Sequence, residues 1–592
     1  MVDGERLNSV DMSAPDLSRI PLANVRKIEV LHGPQTVLYG DNSSAGVVNI
    51  LTDIDGGKDD VDYSTKTRIG AHGGSWETFG GDVAVRTGDA ELATIAWANA
   101  NWEKSRGYRG NSGWEIWNAD GGVKKFFENG SFFKFSAFYN DANSRLPQQL
   151  SYAKWHSAPR HTDFEANKYR RISSGFDMQV EGVVNDENKV RLDVNVANRK
   201  MRSPSWYYGG WQDYDWATGL PTDYVSYDSL YAYMYDIWSY DFTPQWINTT
   251  AVFGLDNELV AGANYRYDRL DGKTASGTWY SPSYYNDWYG AGVKDWSKYR
   301  YERQTMAFFA QDTLHFTDYL AMQLGARYQR TWSGNTQALK NSRTDNMGAY
   351  EAALLFTPAD DLKTYVRFAR FFRNPFLDEV PYNQSYQISK LLAPEHGWSV
   401  DVGGEWRFLD DFSVAADAYI TKTKKEIFYD ATGTPANNVN SPSDTIREGF
   451  DLRGAWEKDK LAGLAIGYSY VNAEFDGGRY DGNTIPCVPE STVSLTGRVW
   501  LWDDCFIFGG YRYQSYQISC SDFHNTARKI PAFGLFNIGA AYEASSGLLK
   551  GWSFRFAIDN LLDKNYCDWS TYGSNYWPGA GRNYQFSVSY AF

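Results

Sequence analysis

Apolar and polar residues alternate with a period of two along most of the chain. Phe133, Phe135, Ala137 and Tyr139 occupy one register, and Lys134, Ser136 and Asn140 the other. The same pattern sets Val190, Leu192, Val194 and Val196 against Arg191, Asp193 and Asn195, and Leu259, Ala261, Ala263, Tyr265 and Tyr267 against Asn264, Arg266 and Asp268. It recurs over residues 322–328, 414–420, 536–542 and 554–558. Strict alternation of this length predicts strands with two unlike faces. Helical spacing dominates nowhere, so the expected fold class is all-β. The connections are unequal: residues 357–361 and 409–412 read as short turns, whereas 201–235 and 270–303 read as long loops rich in rings.

Alternation alone suits a soluble sandwich with one wet face as well as a barrel in lipid. No window approaches the roughly 18 uninterrupted apolar residues of a membrane-spanning helix. A closed barrel is the other backbone that spans a bilayer, because every N–H and C=O in it is paired. Short turns at one end and long loops at the other are the barrel's pattern. In the last segment Tyr584, Phe586, Val588, Tyr590 and Phe592 form one face and Asn583, Gln585, Ser587 and Ser589 the other, so the chain ends on an aromatic. Composition points the same way: the 592 residues are 17% aromatic but only 43% hydrophobic, with a formal net charge of -14. A barrel holds its polar residues in the lumen and loops and its rings on the lipid face. The acidity argues against a nucleic-acid partner, since affinity for phosphates comes from Lys and Arg.

Residues 25–52 carry Glu29, His32-Gly33-Pro34, Tyr39-Gly40, Gly46 and Asn49. With Val2-Asp3-Gly4 and residues 17–21 before it, this stretch resembles the end of the plug domain of TonB-dependent outer-membrane receptors. Residues 559–566 and 578–582 resemble the family's final hairpin. Arg373-Asn374-Pro375 with Glu379, Pro394-Glu395, and residues 447–451 and 485–489 are intermediate matches. Read without the resemblance, Gly33-Pro34 and Tyr39-Gly40 are turn dipeptides between short apolar strands, and no phosphate-loop pattern occurs there. The resemblance implies a transmembrane antiparallel β-barrel of about 22 strands with a partial plug in the lumen. Residues 1–57 would be the C-terminal part of the plug and 58–592 the barrel.

His32 stands where the family places an Arg that ties plug to wall. Arg26, Lys27 or a protonated His32 is therefore expected to find barrel carboxylates at Glu395 and Glu405. Met1 falls at an interior position of the family's Val-x-Val-Asp-Gly strand, with no signal segment before it. The expectation is an N-terminally truncated plug whose TonB-coupling segment belongs to a longer protein, so that this polypeptide alone would not perform energised transport.

With Phe592 at the periplasmic end, residues 473–490, 514–532 and 564–581 become outer loops and 502–505 a periplasmic turn. Cys487, Cys520 and Cys567 then share the outer side, and Cys505 lies beyond the roughly 7 Å Cα reach of a disulfide. At most one bridge is expected, Cys520 with Cys567 on adjacent loops ahead of Cys487 with Cys520. No Cys-x-x-Cys pair points to zinc.

Rings crowd two loops: Trp206, Tyr207, Tyr208, Trp211, Tyr214 and Trp216 in one, and Trp279, Tyr280, Tyr284, Tyr285, Trp288 and Tyr289 in the other. Interfacial girdles account for rings that flank strands. Rings in mid-loop offer flat amphipathic area to a ring-bearing ligand such as a metal chelate, a corrin or a sugar. Asp213, Asp215, Asp223 and Asp228 read first as solvated loop charge and second as bound calcium, since no 12-residue calcium-loop pattern appears. His156 and His161 read as an incidental pair ahead of a contact to a metal-bearing ligand.

Taken together, the expected protein is a receptor in the outer membrane, not an enzyme. It would serve TonB-dependent uptake of a scarce metal chelate, a ferric siderophore or cobalamin. Its partners would be TonB, the chelate, outer-membrane lipid and, through Phe592, the barrel-assembly machinery; no resident cofactor or metal is expected. Two alternatives stay open. One is a passive porin-like channel. The other is a soluble all-β carbohydrate-active enzyme, which needs two carboxylates about 5 to 10 Å apart.

Overall fold

The structure is a computed structural model. It describes the chain apart from residues 13–14, 16, 18–19, 21–23, 163–166, 208–210, 215–220, 227–228, 278–295, 336–341, 381–390, 410 and 434, and within 204–231 and at 276–277 it describes no side chains. Antiparallel strands, 22 in number, close into a barrel. The first wall strand, Lys66–Gly74, pairs with the last, Asn583–Ala591, with Arg68 opposite Ala591 and Gly74 opposite Gln585. The sheet therefore has no free edge to bond elsewhere. Wall strands follow one another in chain order, and three small hairpins rise from the longer connections: Trp211–Tyr214 with Pro221–Ser226, Ile427–Asp430 with Asn437–Asn440, and Cys567–Thr571 with Asn575–Pro578.

The alternation read from the sequence is turned inside out relative to a soluble protein. On the strand Leu362–Arg373, Val366 and Phe368 are 50% and 38% exposed on the outside, while Arg367 between them is 8% exposed. The polar register supplies the interior, with Lys134, Asn140, Arg199, Arg327 and Glu351 all buried. The apolar register becomes the lipid face. Among the described residues no helix is long and apolar enough to cross a membrane.

One end of the barrel closes in tight turns, such as those joining Ala359 to Leu362, Phe408 to Phe412 and Trp502 to Cys505. Phe592 lies at this end, where its carbonyl accepts from the Thr67 N–H at 2.9 Å. The other end carries the long connections, but they are shorter than residues 201–235 and 270–303 suggested. Asn188–Tyr207 pairs with Ser229–Asn248 over the full 20 residues of each, and Asp256–Gly277 pairs with Ser297–Thr317. The ladder runs well past the roughly 9 to 11 residues that a bilayer needs. Its alternation is masked because above the membrane both faces are polar or ring-bearing.

The described residues of the stretch 1–63 occupy the lumen. Val25–His32 pairs with Gly46–Thr52 as a hairpin, joined through the short helix Thr36–Tyr39. The chain then descends to the tight-turn end, where Val61 and Tyr63 pack on Ala93, Ile95, Phe126 and Phe132. The wall begins at Lys66, so the expected boundary at 57 falls within this descending run.

The disulfide differs from the preferred expectation. Cys487 bonds Cys520, with Cα atoms 5.0 Å apart, and Cys567 is free. The two outer loops are held side by side by the Cys487 N–H donating to the Ile518 carbonyl at 2.9 Å. Cys520 does touch the strand Cys567–Thr571, but three residues beyond the thiol, through the Ser570 carbonyl. Cys567 instead points into a cluster with Leu150, Trp155 and Tyr576, donates to the Trp569 carbonyl at 2.8 Å, and has its thiol pushed up to about 11 by burial. Peptide mapping of the unreduced protein should recover a single cross-link, 487 to 520, with Cys505 and Cys567 alkylated only after unfolding or slowly; a link through Cys567 would contradict the fold of this rim.

Candidate functional site

The lumenal segment is seated by two glycines and a set of wall arginines. Gly33 and Gly40 have φ of +70° and +73°, a region that side chains other than glycine's rarely adopt, and a Cβ there would lie 3.1 Å from Asp401 Oδ1 and 3.0 Å from Arg327 Nη2. Between them the helix Thr36–Tyr39 presses against the wall, with Val37 packed on Ala349 and Phe372. Arg367 donates to the Pro34 carbonyl, lies 3.4 Å from the His32 carbonyl, and pairs with buried Glu351 at 2.8 Å. Asn374 donates to Asp41 at 2.8 Å, and Arg6, 3.7 Å from Asp41, donates to the Tyr39 carbonyl. Desolvation works to raise the Asp41 carboxyl, but Arg6, Arg303 and the Asn374 amide hold it below the usual carboxylate range. Gly46 stands opposite His32 and Asn49 opposite Glu29 in the hairpin.

The expected ion pairs between plug and wall are therefore corrected. Arg26 reaches Asp55 at 3.8 Å and Lys27 reaches Glu29 at 2.7 Å, both inside the lumenal segment. Glu395 pairs with Arg373 and accepts from the Ile427 N–H at 3.0 Å, and Glu405 pairs with Arg407 at 2.7 Å. At the His32–Pro34 turn the cation that ties plug to wall is on the wall, at Arg367, and its targets are the backbone carbonyls of His32 and Pro34. No charge at position 32 is needed for that contact.

At the outer end, Asp11 is fully buried. Arg199 Nη1 lies 3.0 Å from its carboxylate and the Tyr235 hydroxyl donates to it at 2.8 Å. The next residues meet the loop after Arg373: the Leu377 N–H donates to the Val10 carbonyl at 2.8 Å, and Asp378 accepts from the Met12 N–H at 2.9 Å. Val10 sits in an apolar cluster with Met201, Tyr235, Ile237, Leu270 and Tyr301. Tyr233 stacks on Tyr235 at 6.1 Å and Tyr299 lies against Tyr301 at 5.2 Å. The apex of the lumenal segment is thus set in a tyrosine-lined mouth. Below it a cavity of about 350 Å³ separates segment from wall, lined by Arg6, Arg191, Asp193, Asp241, Arg266 and Arg327 among others.

Neither Asp11 nor this tyrosine set was singled out in the sequence, although Tyr233 with Tyr235 and Tyr299 with Tyr301 carry the two-residue spacing that signals it. Of the loop rings that were, Trp206, Tyr207, Trp211 and Tyr214 are described in backbone only. Tyr208, Trp216, Trp279, Tyr280, Tyr284, Tyr285, Trp288 and Tyr289 lie outside the described residues, as do Asp215, Asp228 and the side chains of Asp213 and Asp223. His156 is on the helix Tyr152–Ser157 with Nδ1 2.9 Å from the Tyr152 carbonyl, and the His161 carbonyl accepts from Arg109. Among the described residues no group of His, Cys, Asp or Glu has the arrangement to hold a metal ion.

Two outcomes follow. Arg367→Ala leaves Glu351 buried without its partner and strips the donors from Pro34 and His32. A loss of about 3 kcal/mol should appear as faster hydrogen exchange across residues 25–52 with the wall strands unchanged. Asp378 carries a carboxyl pushed up to about 7 by burial and by Asp11. Because its folded value lies above the unfolded one, its contribution is complete below the ordinary carboxylate range and is lost as pH rises through about 7. Exchange at the Leu377 amide, corrected for its intrinsic rate, should rise between about pH 4 and pH 7 and level off above, and Asp378→Asn should flatten that change.

Comparison with known proteins places this geometry. Residues 142–561 match the family described as TonB dependent receptor-like, beta-barrel, and residues 1–47 match the TonB-dependent Receptor Plug Domain. The vitamin B12 transporter BtuB of Photobacterium profundum is 23% identical over 637 residues, covering 100% of this chain and 84% of that protein. The probable TonB-dependent receptor BfrD of Bordetella pertussis is 23% identical over 334 residues, 52% of this chain and 44% of its own length, so that match spans less than half of the relative. The crystal structure of the siderophore receptor PiuA from Acinetobacter baumannii superposes with a TM-score of 0.79 at 15% identity, covering 96% of this chain and 86% of that one. The closed wall, the seated lumenal segment and the family match over most of the barrel make this chain a member of the TonB-dependent outer-membrane receptors.

Proposed function

We propose that this receptor captures a metal chelate, a ferric siderophore or cobalamin, at the tyrosine-lined mouth above the plug apex, and releases it inward when TonB acts on the plug. The observation that carries the reading is the double attachment of residues 10–12. They bond the wall through Arg199 and Tyr235 and the loop after Arg373 through Leu377 and Asp378. A ligand resting on the apex touches both at once, so its arrival is felt by the plug and the rim together. Tyrosines suit a ring-bearing chelate because each offers a flat apolar body and a polar tip. The names of the relatives, a vitamin B12 transporter and a siderophore receptor, support the same ligand class.

The plug is held by charge-assisted bonds, each worth roughly 1.5 to 3 kcal/mol, so it stays seated unless work is done on it. That is the behaviour required of a gate driven from the periplasm. Transport requires no covalent step from any side chain.

Titrating the purified protein with a ferric hydroxamate, a ferric catecholate, ferric citrate and cyanocobalamin, read by tryptophan fluorescence, should give saturable quenching by one class. Tyr235→Ala should weaken it about tenfold. Indifference to all four ligands, combined with a large steady conductance in planar bilayers, would instead favour the porin-like channel.

A further inference from the structure

Two arginines, one on the plug and one on the wall, converge on the bare face of a glycine. A Cβ at Gly40 would lie 3.0 Å from Arg327 Nη2 and 3.6 Å from Arg6 Nη2. Both side chains line the cavity of about 350 Å³ between plug and wall, with Tyr39 and Phe309 beside them. Arg327, on the strand Leu320–Asn335, is 5% exposed. Like charges brought this close repel, and a buried cation needs a counter-charge.

Arg327 has none at hand. Its Nε and Nη2 donate to one neutral oxygen, Gln329 Oε1, at 3.1 and 2.9 Å, and its guanidinium lies 5.7 Å from the Phe309 ring centroid. Among the described residues it forms no ion pair, and its Nη1 meets no acceptor. The carboxylates nearby are engaged elsewhere. Asp268 pairs with Arg266 at 3.0 Å, and Asp241 accepts from Thr243 at 2.9 Å and from Asn264 at 2.8 Å. Asp193, on the far side of the cavity, holds Arg191 at 3.1 Å. Asp41 takes the Asn374 amide and stands 3.7 Å from Arg6, too far for a hydrogen bond. Asp41 and Asp241 act on Arg327 only from beyond ion-pair distance.

We propose that this cavity binds one monovalent inorganic anion, with chloride as the abundant case, bridging Arg6 of the plug and Arg327 of the wall. The ion turns two facing cations into two charge-assisted contacts. At roughly 30 Å³ per water, the cavity holds it with part of its hydration shell. Because one cation belongs to each part, the ion is a removable link between plug and wall, placed beside the helix Thr36–Tyr39. The link does not depend on which chelate is captured at the mouth.

The test follows hydrogen exchange over residues 36–50 by mass spectrometry, on the full chain purified in neutral detergent. Sodium chloride, sodium acetate and sodium isethionate are compared at equal ionic strength, which keeps screening constant. Chloride should slow exchange relative to isethionate, by roughly tenfold once it stands about ten times above its Kd. Arg327→Gln should remove the difference between the salts, and so should Arg6→Gln. Unheated gel mobility reports that each variant still forms its barrel, and Arg6→Gln, which leaves the wall intact, carries the test if Arg327→Gln does not fold. Equal exchange in chloride and isethionate would overturn the proposal. A chloride effect that survives Arg6→Gln unchanged would also overturn it, as would protection by acetate where chloride gives none, which would mark a site for a carboxylate.

Discussion

In lipid, an unpaired strand edge would leave backbone N–H and C=O groups with nothing to bond, and every lumenal contact in this molecule depends on that edge being closed. Closure is made between Lys66–Gly74 and Asn583–Ala591, the two ends of the wall. Once the ring is closed, the polar register of every strand is enclosed and must be satisfied from within. Arg199, Arg303, Arg327 and Arg367 are all buried on that inner face. The lumenal segment answers several of them: carbonyls at His32 and Pro34 for Arg367, the Asp11 carboxylate for Arg199, and the Asp41 carboxylate facing Arg303. The plug is thus the solvent of the barrel interior as much as its gate.

This arrangement explains why the plug's charges at positions 26, 27 and 32 matter little for attachment. Backbone carbonyls cannot be mutated away, so a wall arginine directed at them binds whatever side chain stands at position 32. The charges of Arg26 and Lys27 are neutralised locally by Asp55 and Glu29. At the apex the logic differs. There a single buried carboxylate, Asp11, gathers a cation and a hydroxyl from the wall, and the adjacent backbone gathers the rim loop.

How much of this was legible in the sequence depended on whether the signal was local. Period-two alternation is imposed strand by strand, so the barrel and its lipid face could be read from Val190 to Val196 or from Tyr584 to Phe592. The plug motif could be read because Gly33 and Gly40 are demanded by close backbone approach to Asp401 and Arg327. Partner choice could not be read. Glu395 looked like a free barrel carboxylate but is consumed by Arg373, only 22 residues away in sequence. Cys567 lies in a loop adjacent to that of Cys520, yet its side chain turns inward to Trp155 and Tyr576. Such outcomes are set by which way a side chain faces within a loop, and loops carry no period to reveal it. The upper parts of Asn188–Tyr207 and Ser229–Asn248 were hidden for a related reason: once a strand leaves the membrane, neither face is required to be apolar.

Those tall strands shape how the receptor meets its surroundings. Twenty residues extend about 66 Å along the strand, or roughly 50 Å along the barrel axis at a tilt near 40°, against a hydrocarbon layer about 30 Å thick. Since the tight turns fix the lower end, roughly 20 Å of this wall stands clear of the membrane on one side of the mouth. The entrance is therefore a hooded port. Solutes drifting across the cell surface meet a ring-bearing screen before they meet an opening, and the height of that screen sets how far from the lipid a scarce nutrient can be intercepted.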